Sequence, residues 1–96
     1  MKIEVNTFKR DSIAEVVEKI VEEAAEVSIA YAFYTHREQT KDEDFSYAIE
    51  MQLIQEIGDV FTATANLCSR LGFDGQKCVE LAEAKNILRG YYDTIE

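Results

Sequence analysis

The chain has 96 residues, one domain's length, and carries 19 acidic against 10 basic side chains for a net charge of −9. Its Lys and Arg are scattered, which excludes the clustered cationic face that a nucleic-acid binder needs. No apolar run is long enough to span a bilayer and no charged-then-apolar leader opens the sequence, so the expectation is a cytoplasmic protein with no membrane partner.

A domain this small buries a limited share of its surface, and oligomerisation is expected. Cys68 and Cys78 are too few for a disulfide scaffold and fit no zinc spacing. They are read as reduced, half-buried thiols. Proline is absent and only four glycines interrupt the chain, so its long stretches read as helices.

Residues 1–10 alternate weakly (Lys2-Ile3-Glu4-Val5) and are expected to form an extended or frayed arm. The first helix should start at Asp11 or Ser12, with Glu15 completing a capping box after Ser12, and run to about Thr35. Its apolar face is read as Ile13, Val16, Val17, Ile20, Val21, Ala24, Val27 and Tyr31. Segment 36–44 (HREQTKDED) is polar throughout and reads as a loop.

A second helix covers residues 45–71, with Ala48, Ile49, Leu53, Ile57, Val60, Phe61, Thr64, Leu67 and Leu71 inward. Gly72-Phe73-Asp74-Gly75 stops it and restarts a third helix over about 76–88. The expected fold is all-α: one domain over residues 1–96, an antiparallel helical bundle of two long helices and a shorter third, completed by dimerisation.

Two acidic clusters stand out. The first helix carries Glu22-Glu23-Ala24-Ala25-Glu26 and the second carries Glu56-Ile57-Gly58-Asp59. Residues three apart project from one side of a helix, so Glu23 pairs with Glu26 and Glu56 with Asp59. Folding the chain about Thr40 or Lys41 sets Glu26 level with Glu56 and Glu23 level with Asp59. Four carboxylates at one height repel and lose solvation, which calls for a hard divalent cation; carboxylate-plus-water coordination completed by phosphates suits Mg²⁺. An ordinary solvated face would also explain a run of Glu. The apolar neighbours Ile57, Val60 and Phe61 place Glu56 and Asp59 at the edge of the buried stripe instead.

The same folding about Phe73 or Asp74 sets Lys85 level with Thr62 and Arg89 level with Gly58, with Asn86 between them. Cationic side chains there would neutralise phosphoryl oxygens, although surface ion pairing or the helix C-terminus accounts for them equally well. Gly58 costs about 1 kcal/mol of helix stability relative to Ala and is read as serving helix approach, ligand access or plain packing. Tyr91, Tyr92, Phe33 and Tyr34 are candidates for stacking on a base, and His36 is read as a surface residue.

Taken in order, Glu22-Glu23-x-x-Glu26, Glu56-x-x-Asp59 and Lys85-Asn86-x-x-Arg89 resemble the all-α NTP pyrophosphatases, and among them the MazG-like enzymes, over about residues 16–92. The resemblance implies hydrolysis of a nucleoside triphosphate to monophosphate and pyrophosphate. It implies Mg²⁺, with Mn²⁺ as a substitute, held by Glu23, Glu26, Glu56 and Asp59. Glu22 would orient or deprotonate the attacking water, Lys85 and Arg89 would stabilise phosphate charge, and Asn86 and Tyr92 would help bind the substrate. Family members are homodimers or homotetramers. Many carry a further helix ahead of the first acidic motif. Only about ten poorly patterned residues stand there in this sequence, so the base pocket is expected to be shortened or completed by a neighbouring subunit.

A ferritin-like di-iron bundle would require Glu-x-x-His, and the residue three before His36 is Phe33. The competing reading from another class is a non-catalytic acidic module for protein interaction or nucleotide binding.

Overall fold

Ser12 starts the first helix. Its hydroxyl accepts the Glu15 backbone N–H at 3.1 Å, and the Glu15 carboxylate accepts the Ser12 N–H at 3.2 Å, the reciprocal capping box that their spacing predicts. The computed structural model describes residues 12–92, and the 1–10 arm lies outside them. Helix α1 runs Ile13–Thr35, α2 runs Glu43–Leu71 and α3 runs Gly75–Leu88; among the described residues there is no strand.

The α1–α2 connection contains one 3₁₀ turn, Arg37–Gln39. Arg37 lies over the Tyr34 ring at 3.7 Å from its centroid and donates from Nη1 to the Tyr34 carbonyl at 2.9 Å, placing a cation on the unpaired carbonyls ending α1. Asp42 accepts the backbone N–H groups of Asp44 and Phe45, so α2 begins two residues before the expected start. At its other end Gly72 takes φ 71°, Gly72 N–H reaches the Ser69 carbonyl and Phe73 N–H reaches the Cys68 carbonyl at 2.9 Å. This is a Schellman stop, which glycine enters without steric cost. Asp74 then caps α3 through the Gln76 N–H at 2.9 Å.

Helices α1 and α2 pack along each other. A shielded row passes through Val16, Ile20, Glu23, Val27, Ala30 and Tyr34 of α1, and another through Ile49, Leu53, Glu56, Val60, Ala63 and Leu67 of α2. Both rows advance by alternating steps of three and four, the spacing of a coiled-coil seam. Ala30 and Phe33 share a small cavity with Ala48, Ile49 and Gln52, whereas Ala24 and Val27 share a larger groove with Ile57, Val60, Phe61 and Thr64.

The observed seam differs from the expected inward faces. Val17, Val21 and Tyr31 of α1 and Ile57, Phe61 and Leu71 of α2 remain exposed, Val21 by 66%. Each long helix has two neighbouring apolar stripes, and the α1–α2 contact covers only one of them. Val16, Ala30 and Ala63 alone among the described hydrophobic residues are buried. A fully buried aliphatic side chain contributes about 1.5–3 kcal/mol, so the core within one chain is thin.

Helix α3 also departs from expectation. It does not fold back along α2, and Leu81 and Leu88 are 62% and 89% exposed. The sequence gives it no single face to bury: Val79 and Ile87 lie on one side, Leu81 and Leu88 on another. The radius of gyration, 16.6 Å, exceeds the roughly 12 Å of a compact domain of this length.

Candidate metal centre

Glu23 and Glu26 lie one turn apart on α1, and Glu56 and Asp59 one turn apart on α2. The helix pairing brings them together. One oxygen from each of the four carboxylates lies within 4.8 Å of the other three. Glu23 and Glu56 occupy the seam and are half-buried, while Glu26 and Asp59 flank it and are exposed.

Two neighbours hold these carboxylates. Lys19 Nζ stands 3.9 Å from Glu23 Oε1, and Gln52 donates its side-chain N–H to Glu56 Oε1. The second oxygens, Glu23 Oε2 and Glu56 Oε2, are buried with no hydrogen-bond partner. Burial, reinforced by the charges of Glu26 and Asp59, raises the Glu23 carboxyl above the usual carboxylate range. Glu56 is raised first by the Glu26 carboxyl beside it, with which it would share a proton, then by burial and by the charges of Glu26 and Asp59. An all-oxygen donor set with unpartnered buried oxygens and excess negative charge could hold a hard metal cation.

The remaining candidates lie apart from this group. Glu22 is exposed on α1, next in sequence to Glu23. Asn86 Nδ2 donates to the Tyr92 hydroxyl at 3.1 Å, which ties α3 to the turn that ends it. Lys85 lies in the last turn of α3 and Arg89 directly after it, and α3 does not pack along the helices that carry the carboxylates. The level match expected for these two residues fails here because α3 leaves α2 at Gly72. Tyr34 is occupied by Arg37, Phe33 and Tyr91 are exposed, and exposed His36 meets the Gln39 side chain. A Cβ added at Gly58 would meet nothing within 4 Å, so close helix approach does not explain that glycine within the chain.

Sequence reading passed over Lys19, Gln52 and Asn66. Lys19-x-x-x-Glu23 and Gln52-x-x-x-Glu56 are both spaced to meet on a helix, so the signal for them was present. Asn66 had no such signal. It is fully buried and donates from Nδ2 to the Thr62 carbonyl at 2.9 Å.

Beside the carboxylates runs a largely apolar groove of about 900 Å³. It extends from Ala24, Val27 and Ile57 past Val60, Phe61 and Thr64 to Phe73, Cys78 and Val79 at the start of α3.

Comparison with family models, curated proteins and solved structures finds no match to this chain. No described helix is long and apolar enough to cross a membrane.

Proposed function

We propose that this chain hydrolyses a nucleoside triphosphate to the monophosphate and pyrophosphate, using Mg²⁺ held by Glu23, Glu26, Glu56 and Asp59. The observation that carries the reading is the convergence of these four carboxylates from two helices, with two buried oxygens left unpartnered. The motif resemblance supplies the reaction class. When bound, the cation supplies positive charge to phosphate oxygens and acidity to water. The protein's part is to hold it: Gln52 and the seam fix Glu56, Lys19 braces Glu23, and Glu26 and Asp59 face solvent, where a triphosphate can enter. Exposed Glu22 accepts the proton of the attacking water. The adjoining groove is large enough for a base and sugar.

Lys85, Asn86, Arg89 and Tyr92 complete the substrate site from a second copy in a homodimer or homotetramer, since α3 does not reach the carboxylates of its own chain. The same association turns the α1–α2 pair into an antiparallel bundle in a cytoplasmic enzyme. A non-catalytic acidic interaction or nucleotide-binding module is the second reading, favoured by the distance that α3 keeps between its cations and the carboxylates.

Pyrophosphate release from a panel of ribo- and deoxyribonucleoside triphosphates, with Mg²⁺ or with EDTA, tests the proposal. Metal-dependent release with monophosphate as co-product is expected, abolished in Glu56→Gln and Asp59→Asn variants that keep the helical content of the parent. Wild-type turnover in either variant would overturn the metal assignment. Nucleotide binding without turnover would favour the second reading.

A further inference from the structure

The chain's only two cysteines stand on opposite sides of the Gly72 turn. Cys68 lies in the last turn of α2 and Cys78 in the first turn of α3. Both line the end of the groove away from the carboxylates, and the Cys78 thiol neighbours that of Cys68. We propose that Cys68 and Cys78 form a redox-sensitive dithiol that a hydroperoxide converts to an intrachain disulfide, locking α3 to the end of α2.

The two thiols occupy unequal environments, as a sensor pair requires. Cys78 is exposed, so a peroxide reaches it. Cys68 is half-buried, and burial followed by the neighbouring Cys78 pushes its thiol up, so a peroxide meets Cys78 first. Cys78 is therefore the attacking group and Cys68 the resolving one. In the first step the Cys78 sulfur attacks a peroxide oxygen; the O–O bond breaks, the sulfur becomes a sulfenic acid and the oxidant leaves as water or alcohol. In the second step the Cys68 sulfur displaces the sulfenic oxygen as water. The S–S bond forms, two protons end in the leaving groups, and the two electrons lost by the thiols reduce the peroxide. Reduction by a small thiol restores the pair, which accords with the rule that disulfides in reducing compartments are transient and sensing.

The structural consequence follows from position. Gly72 and Asp74 set the direction of α3 through three hydrogen bonds, from Gly72 N–H, Phe73 N–H and Gln76 N–H. A covalent link between Cys68 and Cys78 would fix that direction and close the groove wall formed by Phe73 and Val79.

The test treats the reduced full-length chain with hydrogen peroxide in the presence of EDTA and follows intact mass, peptide maps and non-reducing denaturing electrophoresis. The expected product is a single chain lighter by two hydrogens, with a cross-linked peptide containing both cysteines. Cys78→Ser should oxidise roughly tenfold or more slowly, because a peroxide reaches the exposed thiol far more readily than the half-buried one. Cys68→Ser should react at the wild-type initial rate and stop at a dimedone-trappable sulfenic acid. Chain-to-chain disulfides or sulfinic acid as the main wild-type product, or equal oxidation rates for wild type and Cys78→Ser, would overturn the proposal. None of these readouts depends on nucleotide hydrolysis.

Discussion

At the scale of single residues, the positions given to Glu23 and Glu56 carry the most information. Both stand where the seam between two helices takes apolar residues elsewhere: Val16, Ile20, Val27 and Ala30 on one side, Leu53, Val60 and Ala63 on the other. A carboxylate there loses hydration and meets other carboxylates, and both pKa values are raised from 4.5. A raised carboxyl pKa means that the folded chain binds protons more tightly than the unfolded one. The stabilisation is complete below the unfolded value and is lost as pH rises through the folded value. In EDTA, the melting temperature should therefore fall as pH rises from about 4.5 towards neutrality. Glu56→Gln should remove part of that slope and melt higher than the parent at pH 7, and Mg²⁺ should flatten the slope of the parent alone. A Gln variant that melts lower than the parent in EDTA would mean that protein groups already compensate the charge.

At the scale of elements, Gly58 is a weak point in the middle of α2 whose Cβ position is open. Gly58→Ala should stabilise the fold by about 1 kcal/mol, since Ala is the better helix former and meets no clash. Chemical denaturation checks that shift. A gain in stability together with lost nucleotide hydrolysis would assign the glycine to substrate access, whereas a loss in stability would show that another copy packs there.

The start of α1 and the α2–α3 break were legible because they rest on local chemistry, Ser12 with Glu15 and Gly72 with its left-handed φ, whereas the Asp42 cap that starts α2 was hidden in a uniformly polar segment. The convergence of Glu23, Glu26, Glu56 and Asp59 was also legible, since equal distance from a turn is an arithmetic property of a helix pair. Which apolar stripe forms the seam was not. Val16, Ile20, Val27 and Val17, Val21, Ala24 are both acceptable helical stripes, and periodicity does not say which of them faces α2. The direction of α3 was illegible for a related reason: its apolar residues surround the helix, so hairpin arithmetic had no buried face to anchor it.

At the scale of the whole molecule, the unused stripes are the basis of the proposed association. Val21, Ile29 and Phe33 on α1 and Phe45 and Ile54 on α2 are each more than half exposed, and a thin single-chain core commonly relies on a partner. Two chains of −9 each repel, so the proposed association would be driven by apolar contact and opposed by charge. Sedimentation equilibrium should therefore show an oligomer that tightens with salt, because screening weakens the repulsion while leaving the apolar term in place. The melting temperature should rise with protein concentration. Val21→Glu discriminates further: on a monomer surface it should change stability by no more than about 0.5 kcal/mol, whereas in a buried interface it should dissociate the oligomer and lower the melting temperature. A monomer at all salt concentrations, indifferent to Val21→Glu, would show that the open stripes serve no second copy, and that Lys85 and Arg89 of another chain cannot supply the substrate contacts assigned to them.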